Sequence, residues 1–142
     1  MLKSVIPIST LGNLDSKRDW GYAPDYVEAM WLMMQQKEPE DYVIATGVSH
    51  SVEEVLTLAT EYAGLGDWHD FCEIDESLKR PTDIEELVGD SSKARKKLGW
   101  NPKVSFKDLI KMMVEKDLEI QKNNKGCLEG FYTKCVRSYC EL

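Results

Sequence analysis

The chain has 142 residues, with 18 Lys and Arg against 25 Asp and Glu, a formal charge of −7. At 42% hydrophobic and 30% charged residues it reads as a folded chain the size of one ordinary domain, not a disordered one. The acid excess argues against nucleic acid or an anionic membrane as the main partner, and no apolar run approaches the ~18 residues of a membrane span. Met1 to Thr10 show neither a long apolar region nor a small-residue cleavage site, so the expectation is a cytoplasmic protein without a secretory signal.

Residues 1–22 are expected as strand and loop, with turn formers at Leu11-Gly12-Asn13-Leu14-Asp15. A helix opens near Pro24, where proline suits the first turn and Asp25 and Glu28 suit the positive end of the dipole. Its stripe of Tyr26, Val27, Met30, Trp31, Met33 and Met34 is expected to fill a core, and it ends near Gln35-Gln36. Tyr42-Val43-Ile44-Ala45, closed by Thr46-Gly47, reads as a buried strand. Ser51 and Glu54 have the spacing of a capping box for a second helix, which carries Val52, Val55, Leu56, Ala59, Tyr62 and Ala63 and stops at Gly64.

Residues 67–90 hold nine carboxylates against Lys79 and Arg80, with a short strand expected over Phe71 to Ile74. The sign then reverses over 91–107. A short helix from Ser92 to Leu98 is expected there, capped by Asp90-Ser91-Ser92, closed by Gly99, and presenting its basic run to solvent rather than to phosphate. After Asn101-Pro102, Ser105 caps a last helix with Phe106, Leu109, Ile110, Met113, Val114 and Leu118 inward, fading near Gln121. Asn123-Asn124-Lys125-Gly126 is a stop. His69 and Cys72 make a single pair with no second pair behind it, so Cys72, Cys127, Cys135 and Cys140 are expected as free thiols rather than metal ligands.

Catalytic signatures are absent. The nine glycines form no dinucleotide or P-loop pattern, no Tyr is followed four positions later by Lys, and no G-x-S-x-G elbow is present. His50 and His69 read as exposed polar residues. From the residues alone this is an α/β domain without a visible reaction centre.

Two segments carry more. Leu11-Gly12-Asn13-Leu14-Asp15-Ser16-Lys17-Arg18-Asp19-Trp20-Gly21-Tyr22 leads into the helix from Pro24. Lys79-Arg80-Pro81-Thr82-Asp83-Ile84 is followed by Gly89-Asp90-Ser91-Ser92 and Lys97-Leu98-Gly99-Trp100-Asn101-Pro102. With the Tyr-Val-Ile-Ala-Thr-Gly stretch between them, these resemble, in order, the carboxy-terminal part of the GDP-mannose 4,6-dehydratases, within the extended short-chain dehydrogenase/reductase group. The resemblance implies an α/β substrate-binding lobe over 11–122, without the complete Rossmann domain, between an unmatched segment 1–10 and an unmatched Cys-containing tail 123–142. In that family an amino-terminal Rossmann half holds NADP and the catalytic Thr, Glu, Tyr and Lys. The reaction oxidises C4 of the mannose, eliminates water across C5 and C6 and returns the hydride to C6. The chain opens at Met1 on the second part, so the catalytic half is expected to be missing, and no catalytic, cofactor or metal residue is assigned.

The resemblance implies Arg18 and Arg80 as diphosphate contacts, a role that suits a planar bidentate guanidinium. It implies Asp83, where the family usually has Glu, as a ribose contact, and Asn13 and Lys17 as site-lining residues. Trp20, Tyr26, Trp31 and Trp100 are expected to be packing residues. The expected ligand is GDP-mannose or a related nucleotide-sugar, bound by a chain inactive alone. The alternative is a non-enzymatic fragment that binds a nucleotide-sugar or associates with a full-length relative or with itself.

Overall fold

The computed structural model describes residues 9–80 and 82–123. The Cys-containing tail from 124 on, Pro81 and most of the amino-terminal segment expected to be unmatched lie outside the described residues. The described chain divides into two compact units: 9–14, 52–83 and 110–123 form the first, and 15–51 with 84–109 the second.

In the first unit, β1 (Ser9–Leu11) pairs in parallel with β4 (Cys72–Ile74), with Ser9 opposite Cys72 and Leu11 opposite Ile74. Helix α2 (Val52–Ala63) begins where the Glu53 N–H donates to the Leu14 carbonyl at 3.2 Å. It stops at Gly64, whose φ of +68° is the left-handed conformation that glycine adopts without steric cost. The core of this unit is Leu11, Leu14, Leu56, Trp68 and Cys72, with Val52 and Phe71 against it. The Cys72 thiol is free and buried, and burial raises its pKa. The acidic stretch does local work. Asp67 and Asp75 accept the His69 and Ser77 N–H groups at 3.0 and 2.8 Å, and each opens a 3-10 turn, over Trp68–Asp70 and Glu76–Leu78.

In the second unit, β2 (Lys17–Asp19) is the central strand, antiparallel to β3 (Ser49–Ser51) and parallel to β5 (Glu86–Leu87). Helix α1 (Ala23–Met34) carries Pro24 in its first turn, and α3 (Ser92–Leu98) opens with the Ser92 N–H donating to the Asp90 carboxylate at 2.9 Å and closes on Gly99 in the left-handed region. They pack through Ala29, Ala94, Leu98 and Trp100, with Tyr26, Leu32, Met33, Tyr42 and Ile44 around them. Helix α4 (Phe106–Asn123) starts on the expected Ser105 cap, whose hydroxyl accepts the Asp108 N–H at 3.2 Å. Leu109, Ile110 and Val114 are its buried residues, on the face predicted for them.

Three expectations change. Tyr42–Ala45 joins no β ladder. It is a segment with alternating exposure whose two flanking carbonyls are held by side chains: Lys93 Nζ donates to the Asp41 carbonyl at 2.7 Å and Arg95 Nη2 to the Thr46 carbonyl at 2.7 Å. A strand needs a partner backbone, and here cations from α3 take its place. The strand of this region is β3 instead, in the stretch read as the lead-in to α2, and His50 on it is half-buried with its ring stacked on Phe106 at 3.8 Å. The third change concerns α1. Met30, Trp31 and Met34, expected in a core, are exposed together with Val27, while Ala29 at 0% and Asp25 at 5% exposure face inward.

Asp25 is the buried charge that orders the turn before α4. Its carboxylate accepts the Lys103 and Val104 N–H groups at 2.8 and 3.2 Å, and its own carbonyl accepts the Trp100 indole N–H at 2.8 Å. Asp25→Ala leaves two part-buried N–H groups without an acceptor, and we expect it to lower stability by about 2–4 kcal/mol in urea unfolding followed by tryptophan fluorescence.

Candidate functional site

The five residues expected at a binding site divide between the units: Asn13, Arg80 and Asp83 in the first, Lys17 and Arg18 in the second. In the first unit, the turn after β1 passes against the 3-10 turn that ends at Leu78. A Cβ on Gly12 would sit 2.9 Å from the Leu78 backbone C and O, so this approach requires glycine. Beside it, Asn13 Nδ2 donates to Asp83 Oδ2 at 2.9 Å. Two residues 70 positions apart, from separate sequence blocks, thus meet side chain to side chain. Arg80, three residues before Asp83, is exposed, and among the described residues no acid pairs with it; the neighbouring Lys79 takes Glu76, at 2.8 Å.

In the second unit, Arg18 is aimed by backbone. Its Nη1 donates to the Lys17 carbonyl at 2.8 Å and to the Ile84 carbonyl at 2.8 Å, clamping β2 to the segment that leads into β5. Lys17 is exposed and lies opposite Ser51 on one side and Glu86 on the other. The basic run of α3 is exposed to solvent, as expected, and three of its four cations also bond to the chain. Lys97 and Lys93 lie 2.5 and 3.0 Å from Glu40, Lys93 Nζ sits 4.9 Å above the Tyr42 ring, and Arg95 also binds the Ser91 hydroxyl at 3.1 Å. The Glu40 pKa is held below the usual carboxylate value by Lys97 first and Lys93 second.

One residue outside the expected set organises this region. The Asp19 carboxylate accepts the Thr46 N–H at 2.9 Å and hydroxyl at 2.6 Å through Oδ1, and the Gly47 and Gly89 N–H groups at 2.8 and 3.5 Å through Oδ2. A side chain at position 89 would collide with Ala45, so glycine there lets the segment at Ala45 pass. Asp19, Thr46-Gly47 and Gly89 each belong to one of the sequence blocks singled out above. Those blocks were the available signal, although nothing local marked Asp19 as their junction.

A family model for GDP-mannose 4,6 dehydratase matches residues 3–113. The chain belongs to this family. It is 53% identical over 122 residues to GDP-mannose 4,6 dehydratase 1 of Arabidopsis thaliana, covering 86% of this chain and 34% of the relative. It is 44% identical over 133 residues to GDP-mannose 4,6 dehydratase of Homo sapiens, covering 81% and 35%. The chain therefore spans about a third of the length of these relatives. Among solved structures, UDP-glucose 4-epimerase from Thermotoga maritima with UDP-glucose superposes with a TM-score of 0.70 at 29% identity, covering 81% of this chain and 36% of that one. dTDP-glucose 4,6-dehydratase from Bacillus anthracis, at 17% identity and a TM-score of 0.70, shares the fold. The fold is thus the α/β fold of the extended short-chain dehydrogenases/reductases, represented by about a third of it. No helix among the described residues is long and apolar enough to cross a membrane.

For this member of the GDP-mannose 4,6-dehydratase family, Asp19 predicts a pH dependence. Burial raises its pKa, but the Thr46 hydroxyl and the Gly47, Thr46 and Gly89 N–H groups outweigh burial and hold it below the ordinary aspartate value. A carboxyl with a lower pKa folded than unfolded stabilises the fold above its unfolded value near ~4 and loses that contribution as the pH falls through the folded value. Urea midpoints between pH 7 and pH 3 should therefore fall less steeply for Asp19→Asn than for the parent chain, with the variant already less stable at pH 7.

Proposed function

We propose that this chain is the nucleotide-sugar-binding part of a GDP-mannose 4,6-dehydratase, and that it does not catalyse alone. The observation that carries this reading is the Asn13–Asp83 hydrogen bond, which joins two separate family blocks in the unit that also holds Arg80. In this reading Asp83, oriented by Asn13, accepts a ribose hydroxyl of GDP-mannose. Arg80 contacts diphosphate oxygens. In the second unit Arg18 is the candidate phosphate contact, its guanidinium direction set by the Lys17 and Ile84 carbonyls, and Lys17 is a candidate lining residue. Charge-assisted bonds from a planar guanidinium suit a diphosphate in both direction and strength.

NADP has no place assigned on this chain. The glycines with left-handed φ (Gly47, Gly64, Gly66 and Gly99) stand at helix ends and in loops, and none opens a strand-to-helix turn with the dinucleotide pattern. The hydride carrier and the acid–base groups of the family reaction are thus sought in the two thirds of the family chain that this one does not span. The second reading, a non-enzymatic fragment that acts by association, draws support from the exposed apolar face of α1.

Incubation of the purified chain with GDP-mannose and NADP should yield no 4-keto-6-deoxy product by mass spectrometry; its appearance refutes the assignment of catalysis elsewhere. GDP titrated by calorimetry should bind the parent chain weakly. A charge-assisted hydrogen bond contributes roughly 1.5–3 kcal/mol, so Arg18→Ala and Arg80→Ala should each weaken binding about tenfold or more, while Lys96→Ala changes it little. Arg18→Ala also removes a bond to the Ile84 carbonyl, so its thermal midpoint is measured alongside. Loss of binding in Lys96→Ala alone would move the phosphate site to the basic helix.

A further inference from the structure

Among the described residues, four hydroxyls have a carboxylate three positions further on: Ser16, Ser51, Thr82 and Ser105, ahead of Asp19, Glu54, Glu85 and Asp108. Acidophilic protein kinases read this spacing, because their basic grooves select a hydroxyl by the carboxylates that follow it. The fold withdraws three of the four. Ser16 is buried, with 6% of its surface exposed. Ser51 is half-buried and paired in β3 opposite Lys17. The Ser105 hydroxyl caps α4, accepting the Asp108 N–H at 3.2 Å, and Lys103 and Lys107 flank it with the wrong charge. Thr82 differs on each count. It is exposed, it stands in a turn and opens no helix, and Asp83, Glu85 and Glu86 follow it with no cation between them. Glu85 and Glu86 are exposed as well.

Charge of the opposite sign lies just upstream. Lys79 is committed to Glu76 at 2.8 Å, whereas Arg80 is exposed and meets no acid among the described residues. A guanidinium in that position is itself a ligand for phosphate oxygens, which it holds in a bidentate way. We propose that Thr82 is a phosphorylation site for an acidophilic serine/threonine kinase, and that the phosphate it acquires engages Arg80. In the transfer, Thr82 Oγ bonds to the γ-phosphorus of ATP, the bond from that phosphorus to the ADP oxygen breaks, and the hydroxyl proton passes to the catalytic carboxylate of the kinase. The product carries a charge of about −1.5 to −2 at neutral pH, close in sequence to Arg80. The consequence for binding rests on the function proposed above: an Arg80 held by phosphothreonine is withdrawn from a diphosphate, so modification lowers the affinity for GDP.

The test uses the full 142-residue chain, an acidophilic casein kinase and ATP. The expected result is phosphate at Thr82 by tandem mass spectrometry, lost in Thr82→Val and kept in Thr82→Ser. Transfer to Glu85→Lys should be slower by about tenfold or more, while Lys79→Ala is modified like the parent. Phosphorus NMR then follows ionisation of the phosphothreonine with pH. Arg80 favours the dianion, so the midpoint should rise by about half a unit in Arg80→Ala. An unmodified Thr82, phosphate confined to other hydroxyls, or equal rates for Glu85→Lys and the parent overturn the site. An unchanged midpoint in Arg80→Ala overturns the engagement of Arg80. GDP titrated by calorimetry should bind the phosphorylated chain about tenfold more weakly than the parent, and equal affinities overturn the consequence for binding. A parent chain that binds no GDP refutes instead the function proposed above, and the mass and phosphorus measurements still decide the site.

Discussion

The second unit depends on one carboxylate satisfied by four donors. Asp19 sits at the end of β2, and its two oxygens collect N–H and O–H groups from Thr46, Gly47 and Gly89. Without it, two chain segments distant in sequence, 46–47 and the one at Gly89, would carry unpaired backbone donors near a sheet of three very short strands. The hydrogen bonds outweigh the cost of partial burial, which is why the group stays ionised and the arrangement persists at neutral pH. Gly89 and Gly47 are tied to the same point: one must lack a side chain where Ala45 passes, and the other turns at a φ of +86°.

Around that junction the unit replaces missing strand pairing with charge. The segment 40–46 lies beside α3, and its carbonyls and Glu40 are met by Lys93, Arg95 and Lys97. Exposed ion pairs of this kind contribute little each. Their role here is directional, because Lys93 and Arg95 also bond the Asp41 and Thr46 carbonyls. Arg18 shows the same economy, with a guanidinium that fastens β2 to the Ile84 carbonyl and is thereby held in one direction. A residue proposed to bind phosphate is thus already ordered before any ligand arrives, which lowers the entropy lost on binding.

The two faces of α1 connect this packing to the chain's length relative to its family. The chain spans about a third of its relatives' length, and α1 carries two apolar faces. The inner face of α1 packs against Ala94, Leu98 and Trp100, and the outer face is exposed among the described residues. The open two-stranded parallel pairing of β1 and β4, with Ile74 exposed at its end, has the same character, since parallel sheets are ordinarily covered on both sides.

By itself the sequence determined the helices, their ends and the family. Pro24, Gly64, Gly99 and Ser105 act within one turn of their own positions, and the 3.6-residue spacing of Leu109, Ile110 and Val114 states which side of α4 is buried. The site was legible only as a set of residues within the recognised blocks. That Asn13 reaches Asp83, that Arg18 holds Ile84, and that Asp19 joins three blocks are contacts across 27 to 70 positions, and no local spacing encodes them. The tertiary structure likewise decided that Tyr42–Ala45 is not a strand and that Met30, Trp31 and Met34 face outward. A strand exists only if a second backbone lies beside it. Periodicity reveals an apolar face but not which of two such faces the rest of the same chain covers.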